Sequence, residues 1–159
     1  MYRLKKPDLP EPTLQASARA TESTFQASAR SFLNKSEELM TYKVEYTDEF
    51  QEWCVALDAK TLPSIDARVK LLEEIGPNLP FPLSSAVNGS RHQHMRELRV
   101  QHKGDPYRIL YAFDPRRVAI LLLGGNKKGN DRWYEENVPK ADKLYDQVLL
   151  KELEDKGLI

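Results

Sequence analysis

Six consecutive apolar residues, Val118-Ala119-Ile120-Leu121-Leu122-Leu123, constrain this chain more than any other feature. Successive side chains of a strand point to opposite sides of its sheet, so a strand with one wet face alternates apolar and polar residues. A run that is apolar at every position belongs to a strand buried on both faces. Whatever sheet contains it must be covered on each side.

The neighbouring segments supply the rest of that sheet. Strand patterns are read at about 95–102, 106–113 and 117–123. The first two are joined by His102-Lys103-Gly104-Asp105 and the second two by Asp114-Pro115-Arg116. Links this short make antiparallel neighbours. Upstream, Tyr42, Val44 and Tyr46 alternate with Lys43 and Glu45, which predicts a short half-buried strand. Phe50, Trp53, Cys54 and Leu57 have helical spacing over 48–57, and Ile65, Val69, Leu72 and Ile75 over 62–75. Gly76-Pro77 is a helix stop, and 77–94 reads as loop. At the C-terminal end, Val138, Ala141, Leu144, Tyr145, Val148 and Leu153 repeat at helical spacing. Pro139 is placed in the first turn of a second helical piece there, because mid-helix it would cost about 3 kcal/mol. The expected fold is α+β, a small antiparallel sheet with two N-terminal helices and a C-terminal helix, in the order β-α-α-β-β-β-α.

Residues 1–39 differ from this pattern. Pro7, Pro10 and Pro12 interrupt regular structure, large apolar residues are sparse, and TLQASARA at 13–20 recurs as TFQASARS at 24–31. Two copies cannot build a solenoid core. The expected division is an N-terminal extension, 1–39, disordered or weakly helical, and one domain, 40–159, with Met40 a candidate alternative start. One cysteine, Cys54, leaves no internal disulfide and fits a reducing cytosol. No apolar run is long enough to span a bilayer. The expectation is a cytoplasmic protein with no membrane association.

Charge is balanced overall, with 24 Lys/Arg and 24 Asp/Glu, but it is not evenly spread. Between Arg91 and Trp133 stand ten Lys/Arg (91, 96, 99, 103, 108, 116, 117, 127, 128, 132) against four acids (97, 105, 114, 131). A basic sheet inside a neutral chain points to an anion site, with RNA the natural polyanion. On the first hairpin strand, Leu98 and Val100 face one way and Glu97, Arg99 and Gln101 the other. If the hairpin pairs residues whose numbers sum to 207, Arg99 lies directly across from Arg108. Facing like charges destabilise a sheet. Either an anion sits between them, making a phosphate clamp, or Glu97 or another acid pairs them, or the register differs.

Gly124-Gly125-Asn126-Lys127-Lys128-Gly129-Asn130 reads as a glycine loop ending at a helix N-terminus, a place that favours phosphate. It is not a Walker loop, since Asn130 stands where lysine is required. The alternative is a plain turn with two solvated lysines. His102, at a strand end beside the basic hairpin, is a candidate general acid or base, or an exposed turn residue. His92 and His94 lack a wider Cys/His cluster, so no metal site and no cofactor are expected. Of Trp133 and Tyr134, one should be core and the other available to a base or phosphate; Tyr134 is taken for that role. Tyr107, Tyr111 and Phe113 read as core, and Cys54 as a small buried apolar residue.

Taken together, YKVEYTDEFQEW, GSRHQHMRELRV, DPYRILYAFDPRRVAILLLGG and NKKGNDRWYEENVPKADKLYD resemble the RelE/HigB superfamily of type II toxins, in its phage-related HigB-like branch. The resemblance spans roughly Thr41 to Leu153. It implies a metal-independent endoribonuclease that cuts mRNA, usually in the ribosomal A site, and is held inactive by a helix-turn-helix antitoxin from the same operon. In such enzymes the ribose 2′-hydroxyl attacks the adjacent phosphate, leaving a cyclic phosphate and a free 5′-hydroxyl. Carried onto this chain, the resemblance implies Arg99 and Arg108 as the clamp, Lys127 or Lys128 as added charge, and Tyr134 and His102 as candidates for proton transfer. Arg96, Lys103 and Arg132 would contact RNA. The alternative is a catalytically silent module of the same fold that docks an antitoxin or RNA. A purely structural phage-derived protein is a third reading.

Overall fold

The computed structural model describes residues 41–159; the expectations for 1–39 and Met40 lie outside them. The described residues form a five-stranded sheet and three α-helices: β1 (Val44–Tyr46), α1 (Asp48–Ala56), α2 (Leu62–Ile75), β2 (Ser84–Ala86), β3 (Arg96–His102), β4 (Asp105–Phe113), β5 (Ala119–Asn126) and α3 (Trp133–Asp155). The sheet order is β1-β5-β4-β3-β2. β1 joins β5 in parallel and every other pairing is antiparallel, so the sheet is mixed. The α+β class and the predicted element order hold. The one addition is β2, three residues inside the segment read as loop, too short and polar to show alternation in the sequence.

The apolar run behaves as its composition demands. Ala119 and Leu121 pack with Leu98, Val100, Tyr107, Ile109 and Tyr111 under α1 and α2, where Phe50, Cys54, Ile65, Val69 and Leu72 are buried. Ile120, Leu122 and Leu123 pack with Leu110 and Ala112 under α3, against Trp133, Val138, Ala141 and Tyr145. A bulge opposite Leu110 and Tyr111 skips Leu122, so Leu122 and Leu123 both serve the α3 side. Ile75 and Leu153, expected in the core, are exposed, each in the last turn of its helix.

Local chemistry sets the helix ends. The Thr47 hydroxyl accepts the Phe50 N–H at 3.1 Å and so caps α1. α2 stops at Gly76, whose φ of +70° suits glycine and whose missing side chain leaves room for the Tyr42 ring. α3 corrects the reading of Pro139. The helix runs unbroken from Trp133 to Asp155 with the proline inside it. Trp133 before the proline and Val138, Ala141 and Tyr145 around and after it seal the same sheet face. Burying such side chains contributes about 1.5–3 kcal/mol each, enough to offset an interior proline.

Candidate active site

The alternation of β3 and β4 places Glu97, Arg99 and Arg108 on the α3 side of the sheet, and the register sets Arg99 opposite Arg108. The charge conflict this creates is resolved from within. Arg99 Nη1 donates to Glu97 Oε2 at 3.2 Å, and Arg108 Nε lies 3.6 Å from Glu97 Oε1. The Tyr134 hydroxyl donates to Oε1 at 2.7 Å and the Ser85 hydroxyl to Oε2 at 2.6 Å. Arg108 also donates from Nε to the Tyr134 hydroxyl at 3.3 Å and from Nη1 to the Tyr107 carbonyl at 2.9 Å. Four elements thus meet at one carboxylate: β2, β3, β4 and the first turn of α3.

Burial divides the two arginines. Glu97 and Arg108 are each 4% exposed, whereas the Arg99 side chain is 31% exposed. An open two-arginine clamp is therefore not what the fold builds. Arg108 is interior and holds Glu97 and Tyr134, while Arg99 turns one edge toward solvent. Burial, and next the hydrogen bond to Glu97, push the Tyr134 phenol above its ordinary value, against the opposing effect of Arg108. Tyr134 therefore keeps its proton at neutral pH, held in the hydrogen bond to Glu97.

The glycine loop is also revised. Gly124, Gly125 and Asn126 belong to β5, paired with Ile109, Arg108 and Tyr107. A side chain at Gly124 would collide with the Trp53 indole from α1, and one at Gly125 with Trp133 from α3. These glycines let two indoles close on the sheet from opposite faces, which is a packing requirement and no phosphate cradle. Gly125 lies beside Arg108 in the register, so Trp133 and its perpendicular neighbour Tyr134, 5.2 Å between ring centroids, can reach the cluster.

Two further groups border it. Lys127 Nζ stands 6.0 Å from the Tyr134 ring centroid, and the Arg99 guanidinium 5.3 Å from that of Phe81. The other predicted residues are placed elsewhere. His102 falls on the opposite face by strand alternation, with Nδ1 2.8 Å from the Ser64 hydroxyl of α2. Arg96 faces the same way and donates to the Ser84 hydroxyl at 3.0 Å, which in turn bonds Tyr111. Neither can act with Arg99. Lys103 is exposed in the β3–β4 turn, Lys128 pairs with Asp105 at 3.2 Å, and Arg132 pairs with Glu135 at 3.0 Å. Much of the basic surplus read along the chain is met in space by acids from outside it, as where Arg91 meets Asp146 and Arg116 meets Glu45 and Glu152.

The sequence reading named Glu97 as the acid that pairs the arginines in the alternative to an open clamp, which is the arrangement found, and it missed Ser85. Alternation had already put Glu97 on the arginine face, and that was the available signal. Ser85 had none, because β2 was not visible.

A family model described as "Phage derived protein Gp49-like (DUF891)" matches residues 52–146. Two Mycobacterium tuberculosis proteins are similar to the chain. The one named "Putative toxin HigB2" is 42% identical over 104 residues, which is 64% of this chain and 52% of that protein. The one named "Putative toxin HigB3" is 44% identical over 105 residues, 65% of this chain and 90% of that protein. The chain thus spans about half the length of the first relative and most of the second. The matched region contains β3, β4, β5 and the first turns of α3, and so every residue of the cluster.

Proposed function

The chain belongs to the Gp49-like family of phage-derived proteins, and on that premise we propose that it is the toxin of a type II toxin–antitoxin system, an endoribonuclease that cleaves mRNA. The observation that carries this reading is the convergence of two guanidinium groups, a carboxylate and a protonated phenol on one sheet face. The names of the two relatives point the same way.

The chemistry needs positive charge at phosphorus, a proton acceptor and a proton donor. In the proposed step the 2′-oxygen forms a bond to phosphorus while the bond to the 5′-oxygen breaks, giving a cyclic 2′,3′-phosphate and a free 5′-hydroxyl. Arg99, the partly exposed arginine, takes the phosphate oxygens, and Lys127 adds charge beside Tyr134. As Arg99 turns to the phosphate it releases Oε2 of Glu97, which accepts the 2′-hydroxyl proton. Tyr134 supplies a proton to the departing 5′-oxygen. Arg108 does not touch substrate; it positions Glu97 and Tyr134. Lys103, Lys128 and Arg132, all exposed, would follow the RNA backbone as outer contacts. Presentation of the mRNA in the ribosomal A site, a cytoplasmic location and inhibition by a helix-turn-helix antitoxin belong to the same proposal.

Induced expression tests it. Wild type should arrest growth and cleave mRNA, with 5′-hydroxyl ends on the downstream fragments, while Arg99→Ala and Tyr134→Phe should not. Purified protein assayed with and without ribosomes separates ribosome dependence from activity itself. Absence of arrest and of cleavage at good expression of wild type would overturn the proposal. A specific feature favours the silent module as second reading: Glu97 already occupies the space between the arginines, so the cluster is complete without a phosphate. That reading expects RNA or antitoxin binding without cleavage.

A further inference from the structure

Among the exposed large apolar side chains of the described residues, Phe81 is the one aromatic ring, and it borders the arginine cluster. It is 69% exposed, at the tip of the turn that leads from Pro80 into β2. The turn is fastened to the site at three points. The Arg99 N–H donates to the Leu83 carbonyl at 2.9 Å, Ser85 bonds Glu97, and the Arg99 guanidinium lies against the Phe81 ring. The Leu83 and Ser84 N–H groups both close back on the Pro80 carbonyl, and prolines at 80 and 82 limit the backbone on either side of the ring. A large aromatic ring is thus held in water, pre-positioned beside a cation, where burial would otherwise be favoured.

We infer that Phe81 is a stacking platform for an unpaired nucleobase of the RNA whose phosphate Arg99 binds. This rests on the RNA-cleaving reading of the same site. A nucleotide carries a flat π-face and an anion within one residue of each other, and the Phe81–Arg99 pair offers the complement of both. Every base has such a face, so the ring would hold the strand in place with little sequence discrimination. A protein partner could also bury a phenylalanine, but the neighbouring cation and the single-ring platform favour a nucleotide.

The test compares wild type, Phe81→Leu and Phe81→Trp for cleavage and for binding of single-stranded RNA, free and on ribosomes. For binding, a 2′-deoxy residue at the attacking position keeps the RNA intact. Phe81→Leu should raise KM and Kd about 5- to 150-fold, the range of one base–aromatic stack, and leave kcat nearly unchanged. Phe81→Trp should restore binding, and its fluorescence beyond that of Trp53 and Trp133 should be quenched by RNA. Removing the base beside the cleaved linkage should weaken wild type by the same factor and leave Phe81→Leu unaffected. If wild type cleaves RNA and Phe81→Leu matches it in KM and kcat, the stacking role is wrong while the nuclease stands. If only antitoxin binding falls in Phe81→Leu, the ring belongs to a protein interface and the inference fails. If wild type neither binds nor cleaves RNA in either format, both readings fall together.

Discussion

Two arginine clusters lie toward opposite ends of α3 and use the same side-chain types in opposite ratios. At the N-terminal end, Arg99 and Arg108 converge on one carboxylate, Glu97, beside Tyr134. Toward the C-terminal end, Arg116 meets Glu45 at 2.9 Å, Asp114 at 2.6 Å and Glu152 at 2.8 Å, near Tyr145. Tyr134 and Glu152 are about 27 Å apart along the helix at its usual rise. The first cluster keeps an excess of positive charge and one arginine edge in solvent. The second has an excess of acid, and its arginine, no more buried than Arg99, is met by three carboxylates; the buried Asp114 also accepts the Arg116 and Val118 N–H groups and so closes the β4–β5 turn. One ratio leaves positive charge over, the other leaves negative charge over and fastens a turn.

Four changes test that contrast, beginning with the most severe. Glu97→Ala leaves Arg108 buried without its carboxylate, so unfolding in urea should show a loss of about 3–5 kcal/mol, together with loss of cleavage. A variant as stable as wild type would mean the cluster is not held by its internal ion pairs. Arg99→Ala should separate function from stability. Cleavage should fall about 100- to 1,000-fold, as for removal of one group stabilising developing charge, while stability changes by less than about 1 kcal/mol for a partly exposed pair. Similar losses of both would place Arg99 in the fold and outside the chemistry.

At the opposite end the pattern should invert. Arg116→Ala should cost about 1–2 kcal/mol, discounted for the partial exposure of the arginine, and leave the rate of RNA cleavage at the wild-type level. A strong loss of cleavage there would erase the distinction between the two clusters. The smallest effect is expected from Glu152→Gln. Burial, and next the neighbouring Asp114 carboxyl, raise the Glu152 carboxyl above its ordinary value. Its folded form therefore binds a proton more tightly than its unfolded form. The resulting penalty is full above the raised folded value and is relieved as pH falls through that value toward about 4.3, the ordinary glutamate figure. Glu152→Gln should flatten this part of the stability–pH curve and shift neutral-pH stability by less than about 1 kcal/mol. An unaltered slope in thermal melts across that range would count against it.

Parts of the candidate site were legible before any coordinates. The register that opposes Arg99 and Arg108 is the one supposed from the short link, although that link is only Lys103-Gly104 because His102 and Asp105 also pair, and alternation alone put Glu97 with them. The charge surplus between Arg91 and Trp133 was real along the chain but misleading in space, because Glu45, Glu135, Asp146 and Glu152 come from other segments to meet it. His102 illustrates a different failure. Its proximity to the hairpin suggested a role with the arginines, yet one step along a strand reverses the face, and it reaches Ser64 instead. Gly124 and Gly125 looked like a flexible loop because glycine marks both turns and close approaches, and only the positions of Trp53 and Trp133 tell the two apart.

The chain's own letters determined what depends on neighbouring residues: a strand apolar on both faces, helices to cover it, and the order in which they come. Backbone geometry fixes those periodicities over a few residues, so they survive without knowledge of the whole. The tertiary structure alone decided that Ser85 and Tyr134 close on Glu97, that Arg108 is sealed in while Arg99 keeps an edge in water, and that Phe81 stands beside it. Ion pairing and burial depend on distances between segments far apart in sequence, and those distances are set by how the layers pack.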